Sequence, residues 1–157
     1  FGDEVKADVL NVVPAQKAGL IAGAAGLTNV GGRWCGVDWK TLESTAHKNV
    51  HVLGDATAAT PGMPKSGHMT TQHAKVAAAA IVNLMSGQPA PDPMVIANTC
   101  YSFVSSKEVV HVAATYAYNG KEFAPIKGAG GLSSARNELE AKYALAWAKN
   151  IWADALL

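Results

Sequence analysis

Residues 50–56 read Val-His-Val-Leu-Gly-Asp-Ala, a short apolar run that ends in a glycine and an aspartate. Such a run, bounded by turn residues, predicts a buried strand. Open α/β folds bind ligands beyond the carboxyl ends of their parallel strands, so Asp55 is predicted to face a ligand there. Gly54 would allow close approach to the backbone, and Asp55 would accept hydrogen bonds from ligand hydroxyl groups. Taken alone, Gly54-Asp55 is more often a plain tight turn.

A long helix is predicted to follow this strand. Small residues and two prolines, Pro61 and Pro64, lead to Ser66, a residue type that commonly caps a helix N-terminus. Apolar positions then recur at helical spacing up to a stop near Gly87: Met69, His73, Val76, Ala77, Ala80, Ile81 and Leu84. The first N–H groups of this helix would point at the same ligand and favour electron-rich oxygen atoms. The flanking strand and helix therefore favour a ligand site over a plain turn.

The segments before this region predict a second strand and a short helix. Residues 5–13 become apolar toward Pro14 and are predicted as a strand, and residues 15–27 are rich in alanine and glycine and predict a short helix that ends near Gly26. Further on, three prolines in residues 88–93 exclude a helix or a sheet interior. This linker, 89–93, is predicted to separate an N-terminal part, 1–88, from a C-terminal part, 94–157.

The C-terminal part has the pattern of a small α+β unit. Residues 109–118 are rich in β-forming residues, Asn119-Gly120 is a two-residue hairpin signal, and residues 121–126 are the predicted return strand. Residues 128–131 are predicted as a flexible connection. A last helix is predicted from a cap at Ser133 or Ser134 to about Ala153, with an apolar stripe of Leu139, Tyr143, Trp147 and Ile151.

Composition excludes several classes of protein. The 157 residues are 49% hydrophobic, and 13 basic against 12 acidic side chains leave a net charge of +1. This balance argues against a nucleic-acid partner, which would require a strongly basic face. No run of about 18 apolar residues predicts a membrane span. The first residues lack the basic and apolar regions of a signal peptide, and two cysteines are too few for a disulfide framework.

Several motifs resemble one flavoprotein family. Thr41-Leu42-Glu43-Ser44 ahead of residues 50–56 looks like the second FAD-binding motif of flavoproteins with two dinucleotide-binding domains. Met63-Pro64-Lys65-Ser66-Gly67, residues 72–77 (QHAKVA), residues 98–102 (NTCYS) and residues 147–154 (WAKNIWAD) narrow the resemblance. Together they resemble the flavoprotein subunit of flavocytochrome c sulfide dehydrogenase, a relative of sulfide:quinone oxidoreductases.

The resemblance implies the fold class and the extent of the chain. The expected fold is α/β plus α+β: the C-terminal part of a two-dinucleotide-binding-domain FAD/NAD(P)-type fold, followed by a small α+β flavin-facing domain. The resemblance covers essentially the whole chain but only the C-terminal part of the family's length. No Gly-x-Gly-x-x-Gly follows a strand here. The chain is therefore expected to be a piece of a longer flavoprotein, whose missing N-terminal half would hold the rest of the cofactor.

The resemblance also implies the site residues. Asp55 would hold the ribityl chain of FAD, and the other residues expected at the cofactor are Gly54, Pro64, Lys65, Ser66 and Trp147. Lys65 would place a cation beside the flavin, against the alternative of a solvated loop lysine. Trp147 would pack near the isoalloxazine, against the alternative of an ordinary core tryptophan.

Cys100, in residues 98–102, is the expected catalytic residue. In this family a redox-active disulfide lies beside the flavin, and the resemblance places the partner of Cys100 in the missing half. Sulfide would attack that disulfide by the chemistry of thiol–disulfide exchange. Cys35 is the second candidate, although an inert core residue is the more common role for such a cysteine, and a Cys35–Cys100 disulfide is disfavoured.

The implied partners are sulfide as substrate and a c-type cytochrome subunit, in the periplasm. No haem is expected on this chain, because it has no Cys-x-x-Cys-His sequence, and histidine spacing predicts no zinc or other metal site. Two alternatives remain open. The first is a relative of sulfide:quinone or NADH:quinone oxidoreductases, although the mixed charges of the last helix make membrane binding less favoured. The second is that residues 1–157 alone form a folded module without bound flavin or activity.

Overall fold

A three-stranded antiparallel sheet and two long helices form most of the regular structure. The computed structural model describes Gly2, residues 4–92 and residues 95–156. The elements, in chain order, are helix α1 (Leu20–Ala24), a 3₁₀ turn (Gly54–Ala56), helix α2 (Gly67–Met85), strands β1 (Ile96–Phe103), β2 (Val109–Tyr118) and β3 (Phe123–Leu132), and helix α3 (Glu138–Leu156). Within these described ranges, no helix is both long and apolar enough to cross a membrane.

The sheet has the order β1-β2-β3, with both pairs antiparallel. The predicted bounds of β2 are confirmed, and so is the hairpin at Asn119, although its loop spans four residues rather than two. The Asn119 side chain closes this loop by accepting hydrogen bonds from the N–H groups of Lys121 and Glu122. The predicted flexible connection at residues 128–131 is wrong, because these residues continue β3. A Cβ atom on Gly130 would lie 2.3 Å from the carbonyl oxygen of Ala113, so a glycine lets the two strands approach here.

Helix α2 begins as its sequence predicts. The hydroxyl of Ser66 accepts a hydrogen bond from the N–H of Met69 at 3.0 Å, which caps the helix. The buried face consists of Met69, His73, Ala77 and Ala80. The predicted amphipathic helix is therefore confirmed, with its inner face set against the sheet and the loops before it.

One hydrophobic core spans residues on both sides of the proline linker. It joins Trp39 and Leu42 from the N-terminal part, α2, and Ile96, Tyr116 and Phe123 from the sheet. Two hydrogen bonds cross the same boundary: Thr60 donates to the carbonyl of Phe123, and the Tyr116 hydroxyl donates to that of Gly62, each at 2.8 Å. The domain boundary at 89–93 stays a prediction, and this core is shared by the parts on both sides of it.

The two strands predicted in the N-terminal part are wrong. Residues 5–13 form no strand and are exposed, and residues 50–53 contribute only an isolated bridge between Glu43 and His51. A strand is stable only when a neighbour satisfies its backbone N–H and C=O groups. Residues 5–13 have no such neighbour among the described residues, and residues 50–52 meet residues 42–44 through a single bridge with two backbone hydrogen bonds. The parallel sheet expected to end at Asp55 is likewise absent from them, and the dinucleotide-binding part of the predicted fold is not seen. Pro93, at the end of the predicted linker, lies outside the described residues.

Helix α3 starts later than predicted and is capped by a different residue. Asn137 accepts a hydrogen bond from the N–H of Glu140 and donates one to its carboxylate, a reciprocal cap in place of Ser133 or Ser134. The predicted apolar stripe is partly wrong: Leu139 and Tyr143 are exposed, whereas Ala141 and Ala144 are buried. Small residues face the sheet here, so α3 packs closely against β1 and β2.

A polar cluster fastens the start of α3 to the sheet. The Ser133 hydroxyl and the His111 ring both hydrogen-bond to the carboxylate of Glu140, and His111 Nδ1 lies 2.9 Å from the Ser133 Oγ atom. These hydrogen bonds hold the pKa of Glu140 below its usual value. The serine and the carboxylate meet the same ring nitrogen, so the cluster lacks the geometry of a hydrolase triad, in which they use opposite nitrogens.

His73 is buried in the core as a neutral side chain. Its Nδ1 atom accepts a hydrogen bond from the N–H of Gly54 at 3.1 Å, and its ring packs edge-on against Trp39. A ring nitrogen that accepts carries no proton, so the proton of the neutral ring lies on Nε2. Burial lowers the pKa of His73 to about 4.

We expect the shared core to depend strongly on Phe123. This side chain is completely buried, whereas Phe103 on β1 is 53% exposed. Phe123→Ala should lower the free energy of unfolding by about 3–5 kcal/mol through lost burial and a cavity, and Phe103→Ala by less than half as much. Urea denaturation of both variants measures the difference. Equal losses would mean that the core does not extend across the linker as described.

We expect His73 to make the chain less stable in mild acid. The unfolded state takes up a proton near pH 6.5, whereas the folded ring resists protonation until about pH 4. Its contribution is therefore complete above pH 6.5 and is lost as the pH falls from 6.5 to about 4. Between pH 7.5 and pH 5 the loss should be about 2 kcal/mol, measured by urea denaturation.

His73→Gln should remove most of this loss, because glutamine does not titrate. The matched control is His47→Gln, which should keep the full loss because His47 is exposed. An unchanged pH dependence in His73→Gln would contradict the assignment.

Candidate functional site

Two cavities lie on either side of the start of α2. The cavity named here the cysteine cavity has a volume of about 340 Å³. Its lining comprises Ser66, Gly67, His68, Thr99, Cys100, Tyr101, Phe103, Ala144, Trp147 and Ala148. The second, named the lysine cavity, has a volume of about 320 Å³ and is lined by residues 16–19, Trp34, Asp55, Ala56 and Lys65. They adjoin at consecutive residues, since Lys65 lines one and Ser66 the other.

The cysteine cavity brings together three of the residues predicted from the sequence. Ser66 comes from the cap of α2, Cys100 from the middle of β1 and Trp147 from α3. The cap serine, the strand and the last helix are distant in sequence, so only the packing of α2 and α3 on β1 places them around one space. The catalytic residue expected from the resemblance therefore lies beside two of the residues expected at the cofactor.

Cys100 is tied to the helix cap through a polar side chain. The Ser66 hydroxyl donates a hydrogen bond to the side-chain oxygen of Asn98, which is buried. The side-chain nitrogen of Asn98 then donates to the sulfur of Cys100 at 3.2 Å. The sulfur consequently has a donor on one side and lies in the same cavity as the first residues of α2, where the helix dipole favours negative charge.

His68 completes this cavity, and the sequence did not single it out. Its Nδ1 atom accepts a hydrogen bond from the N–H of Thr99 at 3.0 Å. Its ring lies 5.2 Å from that of Trp147, centroid to centroid. Burial lowers the pKa of His68. Histidine spacing had been weighed only as a signal for a metal site, and the structure places the rings of His68 and His73 against different partners on opposite sides of α2.

Lys65 is held at the mouth of the lysine cavity. Its Nζ atom donates to the backbone oxygens of Asp55 at 2.7 Å and Thr57 at 2.6 Å, and it lies 3.9 Å from the centre of the Trp34 ring. A cation over an aromatic face gains a further attraction. Burial lowers the pKa of Lys65. Lys65 is exposed overall although its ammonium group is held by these contacts, so the two predicted roles, a cation beside a flavin and a solvated loop lysine, both stay open.

Asp55 and Gly54 have different surroundings. The Asp55 side chain is exposed beside the lysine cavity and makes no hydrogen bond among the described residues, so its carboxylate is free to accept from a ligand. Gly54 is buried at a φ of +69°, and a Cβ atom there would lie 2.6 Å from the Thr70 hydroxyl. The 3₁₀ turn therefore needs a glycine to pack against α2, whether or not a ligand is bound.

The two remaining predicted residues are peripheral to these cavities. Pro64 is half-buried in the loop that leads to Lys65, and it lines neither cavity. Cys35 is completely buried in a small apolar cluster with Ala18 and Ala22, and burial raises the pKa of its thiol. Both cysteines are free thiols in the structure. This environment agrees with the inert core role considered for Cys35.

Comparison with known protein families identifies the C-terminal part. Residues 91–156 match the family model described as flavocytochrome c sulphide dehydrogenase, flavin-binding. The matched range contains β1 with Cys100, the hairpin of β2 and β3, and all of α3 with Trp147; Asp55, Lys65 and Ser66 precede it. The match confirms the resemblance inferred from the sequence motifs. Residues 91–156 of this chain are therefore similar to the flavin-binding domain of flavocytochrome c sulphide dehydrogenase.

Proposed function

We propose that this chain is the C-terminal, flavin-facing portion of an FAD-dependent sulfide dehydrogenase. The family name itself implies a flavin-dependent oxidoreductase that works with a cytochrome c subunit. The observation that carries the finer proposal is the position of Cys100, in a cavity with the first residues of α2 and with Trp147. In this proposal Cys100 is one half of the disulfide that sulfide attacks.

The residues around the two cavities fit a flavin. The N–H groups at the start of a helix have no intrahelical acceptor; in α2, Ser66 satisfies those of Met69 and Thr70, which leaves Gly67 and His68 as donors at the cysteine cavity. Asp55 offers a free carboxylate for ribityl hydroxyl groups. Lys65 offers a fixed positive charge, and Trp147 an aromatic surface. Bound FAD would supply a two-electron acceptor to this site.

The proposed reaction at Cys100 is a thiol–disulfide exchange. Hydrosulfide attacks the disulfide between Cys100 and a cysteine of the N-terminal half, which lies outside residues 1–157. One sulfur–sulfur bond forms, giving a cysteine persulfide, while the original disulfide bond breaks and its other sulfur leaves as a thiolate. Asn98 donates a hydrogen bond to the Cys100 sulfur, and the start of α2 favours negative charge close by. Both features stabilise a thiolate at Cys100 if it is the sulfur that leaves.

In this proposal the two electrons accepted by bound FAD would then leave one at a time to a c-type cytochrome subunit, in the periplasm. The cytochrome is supported by the family name, and the periplasmic location follows only from the resemblance to that family. Trp147 is partly exposed on α3, so this helix has one side at the cysteine cavity and the other toward solvent or a partner.

We expect Cys100 to be essential for reduction of the flavin by sulfide. In the intact flavoprotein, Cys100→Ala should abolish the anaerobic loss of the flavin absorbance at roughly 450 nm after sulfide is added. Dithionite, which needs no cysteine, should still reduce the flavin in this variant. The matched control is Cys35→Ala, which should be reduced by sulfide as the wild type is. Normal reduction by sulfide in Cys100→Ala would contradict the proposal.

We expect residues 1–157 alone to fold without retaining FAD. The chain offers the flavin-facing contacts but has no Gly-x-Gly-x-x-Gly for the pyrophosphate and adenosine, so much of the binding free energy is absent. A purified, cooperatively unfolding preparation should be colourless after gel filtration with excess FAD. A yellow preparation with stoichiometric flavin would contradict this expectation and would assign FAD binding to these residues alone.

A further inference from the structure

We infer that His68 is a positioning residue that sets Cys100 and Trp147 in place around the cysteine cavity. The inference rests on the proposed function, because it gives this cavity its role. His68 lies in the first turn of α2, and it contacts both of the other elements that form the cavity, β1 and α3. The family match begins at residue 91, so His68 lies outside the matched domain.

The first contact fixes the strand that carries Cys100. β1 is an edge strand of the described sheet, so alternate N–H groups point away from β2 and need another acceptor. The N–H of Thr99 finds that acceptor in the Nδ1 atom of His68, at 3.0 Å. Thr99 immediately precedes Cys100, and the hydrogen bond therefore fixes the backbone on which the sulfur is carried.

The second contact fixes the aromatic side of the cavity. The rings of His68 and Trp147 lie 5.2 Å apart at an interplanar angle of 45°. Neighbouring Ala144 is buried and offers no large side chain to hold the tryptophan. The imidazole therefore supports Trp147 from the α2 side, and it limits how far this ring can turn away from Cys100.

The two contacts use different properties of one side chain. The hydrogen bond to Thr99 needs only an acceptor at the δ position, which asparagine also provides with its side-chain oxygen. The contact with Trp147 needs a flat ring, which phenylalanine also provides. His68→Asn keeps the first contact and removes the second, whereas His68→Phe does the reverse. If His68 only filled space, the two variants would not affect the two contacts separately.

The test measures each contact separately in the 157-residue chain. Alkylation by iodoacetamide reports on Cys100, in a Cys35→Ala background so that only one thiol can react. Acrylamide quenching reports on Trp147, taken as the difference in fluorescence between each protein and its Trp147→Phe counterpart. Circular dichroism shows that each variant is folded before it is compared.

Opposite responses of the two variants are expected. His68→Phe should raise the alkylation rate of Cys100 about fivefold, the effect of losing one ordinary hydrogen bond, and leave quenching of Trp147 unchanged. His68→Asn should leave the alkylation rate within about twofold of the wild type and raise the quenching of Trp147. If His68→Phe fails to fold, His68→Asn decides the matter alone, because a protected Cys100 beside an exposed Trp147 is the predicted combination.

Two results would overturn the inference. One is that both variants change both readouts together, as general loosening would; the other is that neither variant changes either. Sulfide reduction of the flavin in the intact protein is a separate measurement, so the two proposals fail separately. If Cys100→Ala keeps normal reduction while the His68 variants respond as expected, the proposed function fails and the positioning role stands.

Discussion

The N-terminal part of helix α2, from its cap at Ser66 to His73, is the constraint on which both cavities depend. Backbone N–H groups at a helix start, at a strand edge and in an irregular loop all need acceptors when they are withdrawn from water. Side chains from Ser66 to His73 supply them: Ser66 to Met69 within the helix, His68 to Thr99 on β1, and His73 to Gly54 in the 3₁₀ turn. One helix thus fixes the segments that carry Cys100 on one side and Asp55 on the other.

This arrangement explains why neutral histidines are suited to these two positions. An imidazole can accept only while the ring nitrogen is unprotonated, and burial favours that state by lowering the pKa of both His68 and His73. Because burial disfavours the protonated, charged ring, it also keeps the ring nitrogen free to accept a hydrogen bond. The core supports the same geometry, since Met69 of α2 packs with residues from the loops before it and from the sheet behind it.

Local signals in the sequence predicted the elements whose stability is local. The sequence predicted the cap at Ser66, the bounds of β2 and the turn at Asn119, because each depends on residues only a few positions apart. The strands predicted at 5–13 and 50–53 were wrong because a strand depends on a partner, and sequence pattern does not reveal whether one is present or how far the pairing extends. The same limit applies to His68 and His73: both lie within the predicted helix, but their roles as hydrogen-bond acceptors depend on Thr99 and Gly54, which are distant in sequence. Cys100, Ser66 and Trp147 were named from family resemblance, and only the packing shows that they share a cavity.

The division of the expected cofactor residues between two cavities also distinguishes their roles. Lys65 and Ser66 are consecutive, yet they face different spaces, because Lys65 turns back to the carbonyls of Asp55 and Thr57 while Ser66 turns forward to Asn98. An ammonium group has three donors, and two of those on Lys65 are already used within the chain. What Lys65 offers a ligand is therefore mainly a fixed positive charge rather than a set of free donors. By contrast, the Asp55 carboxylate offers free hydrogen-bond acceptors, and the first N–H groups of α2 offer free donors. A ligand that reached from the lysine cavity to the cysteine cavity would therefore meet the acceptors of Asp55, then the positive charge of Lys65, then the donors at the start of α2.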